Sequence, residues 1–227
     1  MKIKYLLATT ILALPLISNA EEPKQYKGIN IISVKEMGLP QAEQDKLLAE
    51  IQEQKTKGFL EVNDHEAQKM IYTAKLDEEK LKKISNKNDP TDTNLKKSIA
   101  DVKVAFPFKG IKIDEKNIIG FAAMGTYLEN GWTGISEYFK DKEFGVCSYK
   151  LLDMNLSKGA TLIASEAVTY DVNSKPTLIT IKGSNESGFI YNISWNDSNY
   201  GHILECANMK FDKSITSNLV AFAKKID

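Results

Sequence analysis

Arginine is absent from this 227-residue chain. Lysine binds phosphate as a point charge, whereas the flat two-pronged grip on carboxylate or phosphate belongs to arginine. The absence argues against a phosphosugar, nucleotide or nucleic-acid site, although codon bias in an AT-rich genome accounts for the same fact. Histidine is nearly missing too. His65 and His202 are the only two, so acid–base catalysis through imidazole has few carriers. No nucleophile elbow, phosphate-cradling glycine loop, zinc-binding helix or pair of catalytic cysteines occurs. Gly120, Gly125, Gly131 and Gly134 are spaced through a hairpin rather than ahead of a helix, which excludes a dinucleotide signature. No catalytic, cofactor-binding or metal-ligating residue is therefore assigned. A glycosidase using carboxylates alone leaves no local motif and stays open. After residue 20, no run is long and apolar enough to span a bilayer.

What is present begins with targeting. Lys2 and Lys4 precede an apolar run from Tyr5 to about Ile17, and Ser18-Asn19-Ala20 supplies small residues at the two positions a signal peptidase reads. Residues 1–20 read as a secretory signal peptide cut between Ala20 and Glu21. The mature chain, 21–227, holds 28 lysines against 30 acids, too balanced for a nucleic-acid footprint. Its two cysteines, Cys147 and Cys206, predict one disulfide in an exported protein. Free thiols and a metal site with His202 are the alternatives. On a strand, residues four apart lie about 13 Å from each other, so His202 and Cys206 cannot share one ion there. The destination is the periplasm or the medium.

Composition divides the mature chain near residue 97. Residues 21–97 carry 29 charged and three aromatic residues, while 98–227 carry 29 charged and 16 aromatic over a much longer span. The first part reads as a charged, helix-rich arm. Gly28–Val34 is β-like, Pro40 stands where a helix begins, and Gln41–Lys57 is rich in helix formers with Gly58 as its stop. Ala42, Leu47, Leu48 and Ile51 make only a narrow apolar stripe. Asn63 and Glu66 form a capping-box-like start for a second helix running to about Ser85. His65, in Asp64-His65-Glu66, belongs to that solvated helix start rather than to a metal site. Such thin stripes need a receiver, either the strand domain or a partner.

Residues 98–227 predict an α+β domain: an antiparallel β-meander of about five to seven strands with a C-terminal covering helix. Val102–Phe108 reads as a short strand broken at Pro107. Ile118–Leu128 is apolar on both alternations, and Asn130-Gly131 then signals a tight hairpin. Trp132–Phe139 is the returning strand, with one helical turn over Ile135–Lys140 as an alternative. Gly145–Leu152 places Cys147, Tyr149 and Leu151 on one side. Thr161–Val172 reads as one strand, followed by Thr177–Lys182. Phe189, Tyr191, Ile193 and Trp195 alternate cleanly, and His202, Leu204 and Cys206 share a face of Tyr200–Ala207. Asp212 caps a final helix whose stripe is Ile215, Leu219, Phe222 and Ile226.

Two residues stand out as recognition candidates. Trp132, beside the tight turn, is expected to be exposed. His202 has Asp197, Ser198 and Glu205 near it in sequence, with Glu205 on the opposite face of a regular strand. A neutral histidine packed beside the disulfide is the simpler reading. The functional expectation is an exported, non-catalytic binding protein of a bacterial envelope or its medium, holding another protein through the arm or a sheet edge. The alternatives are a small secreted hydrolase acting on cell-wall or host material and a periplasmic subunit or inhibitor in an envelope assembly.

Overall fold

The computed structural model describes residues 28–63, 95–158 and 160–226. The signal peptide, the helix expected beyond Asn63, and His65 lie outside the described residues. The elements are β1 (Gly28–Ile32), α1 (Gln41–Lys57), β2 (Leu60–Glu61), β3 (Ile118–Leu128), β4 (Gly131–Asp141), β5 (Gly145–Asp153), α2 (Met154–Ser157), β6 (Ala160–Ala164), β7 (Val168–Val172), β8 (Lys175–Ser184), β9 (Gly188–Asn196), β10 (Tyr200–Asn208) and α3 (Lys213–Ile226).

The fold is α+β, and its main body is the expected antiparallel meander. The large sheet has eight strands in the order β2-β8-β9-β10-β5-β4-β3, with β7 also paired to β8. Two runs of hairpins build it, β3-β4-β5 and β8-β9-β10. They join where β10 pairs with β5, placing Cys206 directly opposite Cys147. The two cysteines form a disulfide there.

Three local expectations change. Thr161–Val172 is not one strand. A 3-10 turn over Ser165–Ala167 divides it into β6 and β7, and β6 leaves the meander to pair with β1 in a separate parallel ladder. The cause is remote in sequence: the Glu166 carboxylate in that turn accepts the Val34 N–H at 3.1 Å. Val102–Phe108 forms no strand. It touches β4 through a single bridge, Val104 to Trp132, because left-handed Lys103 (φ 54°) breaks the extended run and Pro107 offers no N–H to a ladder. The hairpin turn falls on Glu129-Asn130, and Gly131 opens β4 with φ 125°. Glycine is needed at this position, since a Cβ would collide with the Lys103 carbonyl oxygen, which accepts the Trp132 N–H at 3.0 Å. Ile135–Lys140 is strand, not helix.

Period-two alternation sorts the sheet into two faces. Ile135, Glu137 and Phe139 of β4, Cys147, Tyr149 and Leu151 of β5, and Tyr191, Ile193 and Trp195 of β9 all point into the main core. Helix α3 covers part of this face. It begins on Asp212, whose carboxylate accepts the Ser214 N–H at 2.7 Å. Ile215, Leu219, Val220 and Ala223 are buried, and Phe222 packs against Phe139 and Phe144. Each large apolar side chain removed from water here contributes about 2 kcal/mol. The Tyr191 hydroxyl fixes the approach of α3 by donating to the Lys210 carbonyl (2.9 Å) and accepting from the Asp212 N–H (3.0 Å). Burial pushes this phenol above its ordinary value.

The described part of the arm is anchored to the sheet. Helix α1 ends at Gly58, whose N–H bonds the Gln54 carbonyl, and Phe59 then packs on Phe189 and Phe211. Ile51 joins Val34 and Ala164 in a small satellite core. The Gln54 side-chain amide pairs with the backbone of β8, donating to the Ile179 carbonyl and accepting the Ile181 N–H. It thereby completes the edge of β8 between β7 and β2.

The disulfide closes a separation of 59 residues, which the chain-entropy account values at about 4 kcal/mol. Urea unfolding of the Cys147→Ala/Cys206→Ala double variant should show a loss of roughly that size. A loss under about 1 kcal/mol would mean that the unfolded chain is not entropically restrained by this bridge.

Candidate functional site

The chemistry-bearing side chains of the inner face gather where β4, β5 and β10 lie side by side. Glu137 stands opposite Tyr149 on the neighbouring strand, and Tyr149 stands opposite Leu204. His202 occupies the next row, opposite Leu151 on one side and Trp195 on the other. The imidazole lies flat against the Trp195 ring, with centroids 4.9 Å apart and planes at 11°.

His202 is held at both nitrogens. Its Nδ1 is 2.8 Å from the Tyr149 hydroxyl and its Nε2 is 3.1 Å from Asp197 Oδ2. An ionised carboxylate accepts only, so Nε2 carries a proton and donates to Asp197. Asp197 comes from the β9–β10 turn. Its other oxygen accepts the N–H groups of Asn199 (2.7 Å) and Tyr200 (2.6 Å). Burial pushes the Asp197 carboxyl up, but those two backbone N–H groups and His202 outweigh it and hold the group below the usual carboxylate range. The turn therefore orients the histidine. In chemical terms this is an Asp–His–Tyr relay of the kind that activates a hydroxyl, with its tyrosine and histidine both buried.

Glu137 differs in kind. It is 0% exposed. Oε2 accepts the Ile111 N–H at 2.9 Å, while Oε1 has no hydrogen-bond partner. Removal from water raises this carboxyl from 4.5 to about 7, and the Ile111 N–H offsets only part of the rise. Above it runs the irregular segment Val102–Ile113. Phe108 stacks on Tyr149 and Phe106 leans on Tyr200, so this stretch roofs both Glu137 and the relay. Gly110 (φ 73°) also comes close, since a Cβ there would stand 3.1 Å from Glu137 Oε2.

The recognition candidates are not brought together. Trp132 was expected at the surface and is 8% exposed. Residues 103–105 lie along the start of β4 and cover it, with the Ala105 N–H on the Trp132 carbonyl at 2.9 Å, and its ring meets Tyr127 edge-on. Proximity to a turn in sequence gave no warning of this long-range cover. His202 is buried, and Asp197 proves to be a partner of its ring. Glu205 faces the other way, as the alternation requires, and pairs with Lys150 (3.3 Å) and Asn192 (3.2 Å). His202 and Cys206 share a face four residues apart on β10, with Leu204 between them, and Cys206 is spent in the disulfide. Among the described residues no group of three ligand-type side chains is placed to hold a metal ion. Sequence reasoning passed over Glu137, although an acid between Ile135 and Phe139 on an apolar alternation was the available signal.

No protein-family model matches the chain, and neither a curated protein nor a solved structure matches it. Function therefore has to be argued from these residues.

Tyr149→Phe removes the buried hydroxyl that meets His202 Nδ1 at 2.8 Å and should cost about 1–3 kcal/mol in denaturant unfolding; an unchanged midpoint would show that the contact contributes nothing. For Glu137 the sign follows from a folded value raised above the unfolded one. Its contribution is intact below pH 4.5 and is lost as pH rises through about 7. Relative to Glu137→Gln, the wild-type chain should lose about 3 kcal/mol of stability across that window. Parallel pH–stability curves for the two proteins would refute the burial argument.

Proposed function

We propose that this is an exported, non-catalytic binding protein whose ligand is another protein, held along the edge formed by β1 and the arm. The observation that carries the reading is at β1. This strand leads out of the arm, its ladder partner among the described residues is β6 alone, and Ile29 and Ile31 are 36% and 42% exposed. A strand at a sheet edge that carries exposed apolar side chains is a template for another chain's strand. A strand added there gains main-chain hydrogen bonds and covers both isoleucines, which is the β-augmentation mode of peptide recognition.

Export is supported by the leader-like residues 1–20 and by the buried disulfide, which suits an oxidising compartment. No helix among the described residues is long and apolar enough to cross a membrane.

The test uses mature 21–227 and its Ile29→Asp/Ile31→Asp variant as parallel baits in native envelope extract and culture fluid. A protein retained by the wild-type bait and released by the variant, with circular dichroism unchanged, is the expected result. Equal retention by both baits would remove β1 from the contact, and retention of nothing by either would overturn protein binding.

A further inference from the structure

We propose that the segment Phe106–Ile111 is a cover over Glu137, closed while the buried carboxyl holds its proton and released when it loses it. The geometry is that of a short roof with a fixed end and a conditional end. On one side, Lys103 and Ala105 are hydrogen-bonded to the main chain of Trp132. On the other, the Ile111 N–H reaches the sheet through Glu137 Oε2. The two left-handed residues, Lys103 (φ 54°) and Gly110 (φ 73°), bracket the stretch between. The stretch itself belongs to no strand or helix. Its hold on the sheet is the packing of Phe106 on Tyr200 and Phe108 on Tyr149, together with the buried Ile111.

Among the described residues, burial and the Ile111 N–H are what act on the Glu137 carboxyl. From β3, Phe121 faces it, with Lys96 bridged to Phe121 through the backbone. From β5, Tyr149 faces it with its hydroxyl committed to His202, and Leu204 of β10 continues the row. From above come Gly110, Ile111 and the Ile99 methyl, while Lys109 and Lys112 are exposed. Helix α3 meets this face through Phe222 on Phe139. A proton keeps the carboxyl tolerable in that setting, although Oε1 has no partner. An ionised carboxylate with one unsolvated oxygen is better placed in water, and water reaches it when the cover lifts. The folded value near 7 puts the transition within reach of ordinary pH. Lifting bares the rings of Tyr149 and Tyr200, so the protein presents an aromatic surface at neutral pH that is shut in acid.

The test is backbone amide exchange, corrected for intrinsic rates, on mature 21–227 from pH 5 to pH 8. Protection at Ile111, whose N–H is held by Glu137, should fall about 100-fold over that range, while amides of β9 and β10 hold theirs. In Glu137→Gln the fall should vanish. A cover whose protection does not change with pH would overturn the proposal, as would an equal fall in the variant or in the β9 and β10 amides. If the variant does not fold, the ¹³C shift of the Glu137 carboxyl in the unaltered chain decides: a midpoint in the ordinary carboxylate range overturns the proposal, and one near 7 supports it.

Discussion

The pairing of β5 with β10 is the constraint on which the rest of the molecule depends. Hairpins are local, and β3-β4-β5 and β8-β9-β10 each follow from turns a few residues long. Neither three-strand unit alone closes a core against α3. They become one sheet only along this seam, whose strands are separated by more than 40 residues of intervening chain. Three side-chain links cross it. The Cys147–Cys206 disulfide joins a directly opposed pair, Tyr149 reaches His202 diagonally on the inner face, and Lys150 meets Glu205 on the outer face. Their energies are unequal. The half-exposed ion pair is worth at most about 1 kcal/mol, the buried hydrogen bond about the same or somewhat more, and the covalent link several times that. The covalent bond is thus the strongest single link across the seam, and the polar contacts lie one on each face.

Around that seam the arm serves the edges of the sheet rather than a face. Free edges invite pairing with other chains, and β8 is guarded piecemeal by β7, by the two residues of β2, and between them by the Gln54 amide. A side-chain amide carries the same donor and acceptor as a peptide group, which lets a helix complete a ladder that it cannot join as a strand. On β1, by contrast, Ile29 and Ile31 stay exposed, and that exposure carries the binding proposal.

The inner face contains one group that works against the fold. His202, Asp197 and Tyr149 satisfy one another, so their burial is nearly neutral. Glu137 has a single hydrogen bond, and that bond comes from the least regular part of the molecule. A glutamine or leucine would suit a purely structural role better at neutral pH. The cost of keeping an acid there is the physical reason to look for a use of its titration.

Much of this was legible in the sequence, and the pattern of success is physical. Alternation and helical period depend on neighbouring residues alone, so the inner faces of β5, β9 and β10, the α3 stripe, the Asp212 cap and the α+β class could be read directly. Cysteine count and the residues around 1–20 fixed the disulfide expectation in the same way. What depended on remote contacts could not be read. The break between β6 and β7 answers to Val34, the burial of Trp132 to Lys103 and Ala105, and the seating of α1 to the unfilled edge of β8. The sequence by itself determined which residues face inward on each element. Tertiary structure alone decided which elements became neighbours, because strand order is set by burial and pairing summed over the whole sheet, and no local stretch encodes that sum.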